Sequence, residues 1–181
     1  NQLISINLGN EVSLSTLIAS HNQLTSVNVN YSTQMGYLNL SYNNLTSFSL
    51  ANVIIEENLN LSYNNLSSFV GSNIHVYEYF SLSNNLLINL QINNCSSKYF
   101  FVNNNYLSSS QNIGTMSVSN TANFSYNQFT FLNLSNMNFY HECDVYLGNN
   151  IVDDVFFGNS APGSIIYSSN NSSFNLFDYR K

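Results

Sequence analysis

Charge is what this chain has least of. Asp, Glu, Lys and Arg make up 7% of its 181 residues, where an ordinary globular sequence carries about a quarter. The positive side chains are Lys98, Arg180 and Lys181 alone, and the net charge is −6. Nucleic acid and anionic membrane surfaces are bound through clustered Lys and Arg that displace counterions, so neither is expected as a partner. Long apolar runs are missing too. Nothing reaches the roughly 18 to 20 residues of a membrane-spanning helix, so no membrane insertion is expected. No N-terminal signal stretch is visible, and a start at Asn1 rather than Met reads as a processed or trimmed form. With three histidines and two cysteines, the spacing that a zinc site needs is absent, and no metal or cofactor is expected.

What the chain has instead is Asn, Ser and Tyr around a hydrophobic fraction of 44%. That fraction is enough for a core, and the length is one domain's worth. An uncharged surface opposes association only weakly, and its amides and phenols can hydrogen-bond one another or a sugar.

Asparagine recurs at a nearly fixed interval of 20 to 23 residues: Asn1, Asn22, Asn43, Asn64, Asn85, Asn105, Asn127, Asn150 and Asn171. A period of that size marks a solenoid, in which each coil buries its apolar side only against its neighbours. Before each asparagine stands an alternating pair, such as Leu38/Leu40, Leu59/Leu61, Phe80/Leu82, Phe100/Val102, Ala122/Phe124 and Val145/Leu147. Period two means a short strand with one buried face, and one strand per coil stacks into a parallel sheet. A second alternating pair follows at five and seven places after the asparagine: Ile6/Leu8, Val27/Val29, Phe48/Leu50, Leu90/Ile92, Leu132/Leu134 and Val155/Phe157. Helical connections would need apolar residues three and four apart and fewer Asn, Ser and β-branched residues, so a second extended column and little or no helix are expected. At about 4.8 Å per strand, about nine coils make a rod roughly 40 Å long.

Met35, Leu38, Leu40, Asn43 and Leu45 spell L-x-x-L-x-L-x-x-N-x-L; Leu14, Leu17, Ala19, Asn22 and Leu24 repeat it, as do Tyr77, Phe80, Leu82, Asn85 and Leu87. With this pattern the chain resembles the leucine-rich repeats over its whole length, and the short period is similar to their bacterial-type subclass. The resemblance implies a right-handed coil, a single domain over 1–181, and an open sheet face as the usual ligand surface. Asn22, Asn43, Asn64, Asn85, Asn105, Asn127, Asn150 and Asn171 are expected to form a buried structural ladder that hydrogen-bonds the backbone where the chain leaves the sheet. The candidate binding face is Tyr37, Tyr42, Tyr63, Tyr79, Tyr99 and Tyr126, tyrosine being a frequent interface residue because it brings large area with few rotors.

The pattern breaks in places. Between Asn105 and Asn127, Ser110 and Asn112 stand where apolar residues should, with Ile113, Met116 and Val118 as substitutes. The segment 138–143 lengthens its coil, and 158–163 holds the lone proline in a turn cluster. The final coil fits the frame poorly at Ile166, Ser168, Asn171 and Ser173. Neither end carries a recognisable polar cap, so the first coil is expected to expose Leu3, Ile6 and Leu8, and the last Phe174, Leu176 and Phe177.

No catalytic constellation is visible, and no enzyme is expected. His21 shares the place of Tyr42, Tyr63 and Tyr126 and reads as a surface residue, while His75 and His141 fall in loops. Glu57 and Glu78 stack on adjacent coils with Lys98 next in the column, which reads as a solvated pair partly neutralised by the lysine rather than a calcium site. Cys95 and Cys143 lie two coils apart, roughly 10 Å along the axis, too far for a disulfide, and read as packed thiols. Of the ten N-x-S/T sequons, Asn44, Asn65 and Asn133 are the candidate glycosylation sites, being outward, whereas Asn39, Asn60 and Asn123 emerge from mid-strand. Taken together, these features lead us to expect a non-catalytic structural protein, extracellular or at the cell surface, that self-associates end to end or laterally into a fibre or coat. The alternative is an adhesin or receptor module binding a protein or glycan on the Tyr/Asn/Ser face.

Overall fold

The computed structural model describes residues 1–31, 33–108, 113–140, 142–158, 166–167 and 175–178, with backbone alone for 8–13, 29–31 and the last two segments. No helix occurs among the described residues. The first coils hold β1 (Ser5–Leu14), β2 (Thr16–Ile18), β3 (Ser26–Tyr31), β4 (Gln34–Asn39) and the long β5 (Ser47–Asn60). The middle holds β6 (Ser68–Val76), β7 (Tyr79–Ser81), β8 (Asn89–Phe101) and β9 (Gly114–Asn123). There follow β10 (Phe131–Asn133), β11 (Met137–Phe139), β12 (Asp144–Tyr146), β13 (Asp154–Phe157), β14 (Ile166–Tyr167) and β15 (Asn175–Asp178).

Pairing is parallel throughout, as one strand per stacked coil requires. In the first column Leu17, Leu38, Leu59, Phe80, Phe100, Ala122, Val145 and Ile166 are successive partners. Leu38, Leu59, Phe80, Phe100, Ala122 and Val145 are fully buried. A file of phenylalanines runs up the interior, with Phe69–Phe80, Phe80–Phe100 and Phe100–Phe124 meeting edge to face at 5.7, 5.4 and 6.0 Å. Edge-to-face packing suits the ring quadrupoles. Beyond the file, Phe124 and Phe129 meet edge to face at 6.4 Å.

The connection between columns differs from the sequence expectation. Each middle coil makes three strand passes rather than two. β5 runs through the left-handed corner at Asn52, and its buried residues fall in three groups: Leu50, then Val53 and Ile55, then Leu59. The middle group belongs to a third column, in which Ile55 pairs with Val76, Cys95 with Met116, Ser97 with Val118, Met116 with Met137 and Val118 with Phe139. The leucine-rich frame placed Tyr77 in the core at this point. The structure puts Val76 there and leaves Tyr77 60% exposed, because strand alternation, not the consensus spacing, decides which neighbour turns inward. Ile113, Met116 and Val118 are buried as substitutes where the repeat is irregular; Ser110 and Asn112 lie outside the described residues.

Two left-handed corners turn the middle coils. His21, Tyr42, Tyr63, Asn84, Asn104, Tyr126 and Asn149, each just before a ladder asparagine, have φ between 54° and 57°. Asn52, Asn73 and Asn94 have φ of 56°, 52° and 52° at the second corner, and Gly114, partnered with Ile92 beside an irregularity in the pairing, has φ 94° near it. Asparagine tolerates the left-handed region better than most residues, whereas tyrosine there must be held by its surroundings. At the first coil Leu3 is 51% exposed and Ile6 is half-buried; Phe174 lies outside the described residues.

Candidate functional site

The recurrent asparagines are joints of the scaffold. Asn43, Asn64, Asn85, Asn105, Asn127 and Asn150 are buried, and Asn22 is half-buried. Asn64 is typical. Its Oδ1 accepts from Leu45 N–H of the preceding coil at 3.0 Å, and its Nδ2 donates to Leu40 O at 2.9 Å, Leu61 O at 3.2 Å and Ser62 O at 3.3 Å. One amide thus satisfies backbone groups of two coils at the point where the ladder of the sheet ends. Asn43, Asn85, Asn105 and Asn127 repeat the arrangement. Asn171 lies outside the described residues.

The six candidate tyrosines do not form one surface. Tyr37, Tyr79 and Tyr99 lie on the outer face of the first sheet, where Asn58 separates Tyr37 from the other two. Tyr79 and Tyr99 stack at 4.5 Å and 11°, and Lys98 Nζ sits 5.3 Å from the Tyr99 ring. Tyr42, Tyr63 and Tyr126 lie on the left-handed corner instead. Tyr42 stacks on Tyr63 at 4.2 Å and 8° and on His21 at 4.3 Å and 11°. Desolvation in this stack, then the hydrogen bond and charge of Tyr63, raise the Tyr42 pKa above the ordinary phenol value. Tyr126, 54% exposed, is parted from Tyr63 by Asn84 and Asn104 in the same file.

Asn44, Asn65 and Asn133 are exposed, while Asn39, Asn60 and Asn123 are half-buried. Asn133 shares with the half-buried three the bond from the N–H of the serine two places on, Ser135, at 3.0 Å; the half-buried three add a bond from the serine hydroxyl. Asn39 Oδ1 accepts from the N–H and hydroxyl of Ser41 at 3.0 and 2.7 Å, Asn60 does so from Ser62, and Asn123 from Ser125. In these three N-x-S triplets the serine is buried and the asparagine closes a turn on it.

Lys98 reaches Glu78 at 3.1 Å. The hydrogen bond to Glu78, then its charge, raise the Lys98 pKa. Glu56 accepts from Gln34 Nε2 at 2.6 Å. His75 is not in a loop: it lies in β6, because it alternates outward between the buried Ile74 and Val76, and its Nδ1 is 2.9 Å from Ser96 Oγ. His141 lies outside the described residues. Cys95 and Cys143 are free and buried; burial raises both thiol pKa values, with Asp144 adding to the effect at Cys143, which is pushed up to about 12.

Two surface features escape the sequence frame. Asn52, Asn73 and Asn94 form a second, exposed amide ladder, with Asn73 Nδ2 donating to Asn52 Oδ1 and Asn94 Nδ2 to Asn73 Oδ1, each at 2.8 Å. Their signal was a recurrence nine places after the ladder asparagine. Leu86, Ile88 and Tyr106 are 45%, 61% and 49% exposed, and Leu86 and Tyr106 hold the same place, just after the ladder asparagine, on adjacent coils. These features define the class: a repeat protein built as a parallel β-solenoid. Comparison with family models, curated proteins and solved structures gives no match for this chain.

Proposed function

We propose that the chain is a short-period leucine-rich-repeat solenoid with a non-catalytic, structural role outside the cell or at its surface, assembling with copies of itself into a fibre or coat. The repeat assignment is supported by the consensus positions Met35, Leu38, Leu40, Asn43 and Leu45, all of them buried. The assembly reading rests on the exposed strip Leu86, Ile88 and Tyr106. Its neighbours along the same files are Asn65, Ser67, Ser108 and Gln128, none of them charged. An apolar strip in so weakly repulsive a surface favours lateral packing between rods.

The alternative, a module binding a protein or glycan on its tyrosines, gains less support. In the Tyr42/Tyr63 and Tyr79/Tyr99 stacks the rings cover each other's faces. Each stack thereby covers ring faces that a sugar platform would use. The test is sedimentation velocity over a wide concentration range, on the native chain and on Leu86→Lys combined with Ile88→Lys. The native chain should associate as concentration rises, and the double variant should stay monomeric with its folded signal intact. A native chain that is monomeric throughout, and indifferent to the lysines, overturns assembly and promotes ligand binding.

A further inference from the structure

The cysteines do not tie the coils together: Cys95 and Cys143 are free and buried. Tyrosine is the other side chain that can be joined to its own kind, and the chain holds 13. At the left-handed corner the Tyr42 and Tyr63 rings, on adjacent coils, lie 4.2 Å apart between centroids and 8° from parallel, with the two phenols hydrogen-bonded. Tyr79 and Tyr99 stack on the outer sheet face at 4.5 Å and 11°.

The corner pair is the better placed for chemistry. Tyr42 and Tyr63 are 44% and 45% exposed, so an oxidant in solution reaches both. Each holds the same backbone conformation, φ 55° and 54°, and Asn43 N–H donates to Tyr63 O at 3.1 Å, which fixes one corner over the other. Parallel rings with paired hydroxyls bring the ring carbons beside those hydroxyls face to face. Tyr99, by contrast, is half-buried and has Lys98 Nζ 5.3 Å from its ring, where a positive charge opposes the removal of an electron.

We propose that Tyr42 and Tyr63 are a site of oxidative coupling, where a one-electron oxidant driven by hydrogen peroxide, of the haem peroxidase class, joins them into a dityrosine staple between adjacent coils. Each phenol gives up one electron and its hydroxyl proton, leaving two phenoxyl radicals. Their unpaired electrons form a bond between the two ortho carbons, and the hydrogen on each of those carbons moves to its ring's oxygen, which restores both aromatic rings. The two electrons and two protons reduce one hydrogen peroxide to two waters, and the chain is lighter by two hydrogens. Radicals held in one stack meet without diffusion, so coupling within a chain outruns coupling between chains. The exposed corner leaves the rings room to tilt from the stack into the linked geometry. The staple closes residues 42 to 63 into a loop and restricts the unfolded chain as a disulfide does. The proposal does not rest on lateral assembly, which uses another file of residues.

The test treats the dilute full chain with a haem peroxidase and hydrogen peroxide, and reads intact mass, dityrosine fluorescence and a peptic digest. The monomer should lose the mass of two hydrogens, and the digest should contain a crosslinked pair of peptides carrying Tyr42 and Tyr63. Tyr42→Phe and Tyr63→Phe, which keep a ring in the stack, should each slow dityrosine formation within the monomer at least about tenfold. Tyr126→Phe should leave the rate unchanged, since Asn84 and Asn104 part it from Tyr63 in the corner file. The stapled monomer should need more urea to unfold. A monomer whose crosslink maps to another pair of tyrosines overturns the proposal, as does dityrosine formed only between chains, at a rate that rises with chain concentration. Tyrosine oxidation without coupling, or a stapled monomer that unfolds at the native urea concentration, overturns it as well.

Discussion

At the scale of single residues, the weight of an asparagine depends on which way its amide points. Replacing Asn64 by Leu leaves Leu45 N–H and the carbonyls of Leu40 and Leu61 without their side-chain partner. At about 1 to 3 kcal/mol per stranded buried group, the loss should reach about 3 kcal/mol or more in urea unfolding. Asn65→Leu, one place on and exposed, should stay within about 0.5 kcal/mol. The ladder was legible because its residue recurs at one interval, but the tyrosines were not: position one or six before the asparagine decides between corner and sheet. The sequons divide in the same manner. Produced through a eukaryotic secretory pathway, the chain should carry glycans at Asn44, Asn65 and Asn133, read as a mass shift on glycosidase treatment. Occupied Asn39 or Asn60 would contradict this, since their amides close turns on buried serines. The Tyr42 stack adds a pH dependence. Its raised pKa means the folded chain holds that proton where the unfolded phenol, near pH 10, releases it, so stability falls as pH rises above about 10. Lys98, also raised, adds stability that is present below about pH 10.4 and lost above it. Melting temperature should therefore fall as pH rises above about 10, and Tyr42→Phe should lessen the fall.

At the scale of elements, the first two strand columns were visible as alternating apolar pairs, and the third was not. Its rungs include Cys95/Ser97, which look like no apolar pair, although both are buried. The consensus frame moreover assigned that stretch to a connection, so Tyr77 took the place that Val76 fills. What makes three passes possible is the second left-handed corner, and the backbone near that corner predicts a local sensitivity. Gly114 carries φ 94°, and a Cβ there would lie 1.9 Å from Ile92 O. Backbone cannot yield as a side-chain tip can, and β8 meets β9 at this point through Ile92↔Gly114. Gly114→Ala should cost about 1 to 3 kcal/mol from the dihedral alone, with the clash adding to it. Gly36→Ala, whose Cβ would meet nothing nearer than Thr16 Oγ1 at 3.5 Å, is the comparison that should remain near native in the same denaturation experiment.

At the scale of the whole molecule, the period predicted a rod of stacked coils, but the break in pairing between β3 and β5, which leaves β1 and β3 as a sheet of their own, left no trace in the sequence. Ser26 and Ser47, or Val27 and Phe48, fit the repeat as well as any joined pair, because register is local and separation of rungs is a property of the assembled stack. The surface, by contrast, was set by composition and bears on how copies meet. Among the described residues the ion pair is Lys98 with Glu78, both side chains about 40% exposed, and exposed pairs of that kind contribute little. If association runs through Leu86, Ile88 and Tyr106, it is driven by removing apolar area from water and has few charges to screen. Raising sodium chloride from about 0.02 to 0.5 M shortens the range of electrostatic forces several-fold, yet the association constant should change by less than about threefold. Sulfate, which is excluded from protein surfaces, should strengthen it. Sedimentation in the two salt series separates the cases. Association that collapses with sodium chloride would place the contact on the sparse charged groups instead, around Glu57, Glu78 and Lys98, and the apolar strip would lose its role.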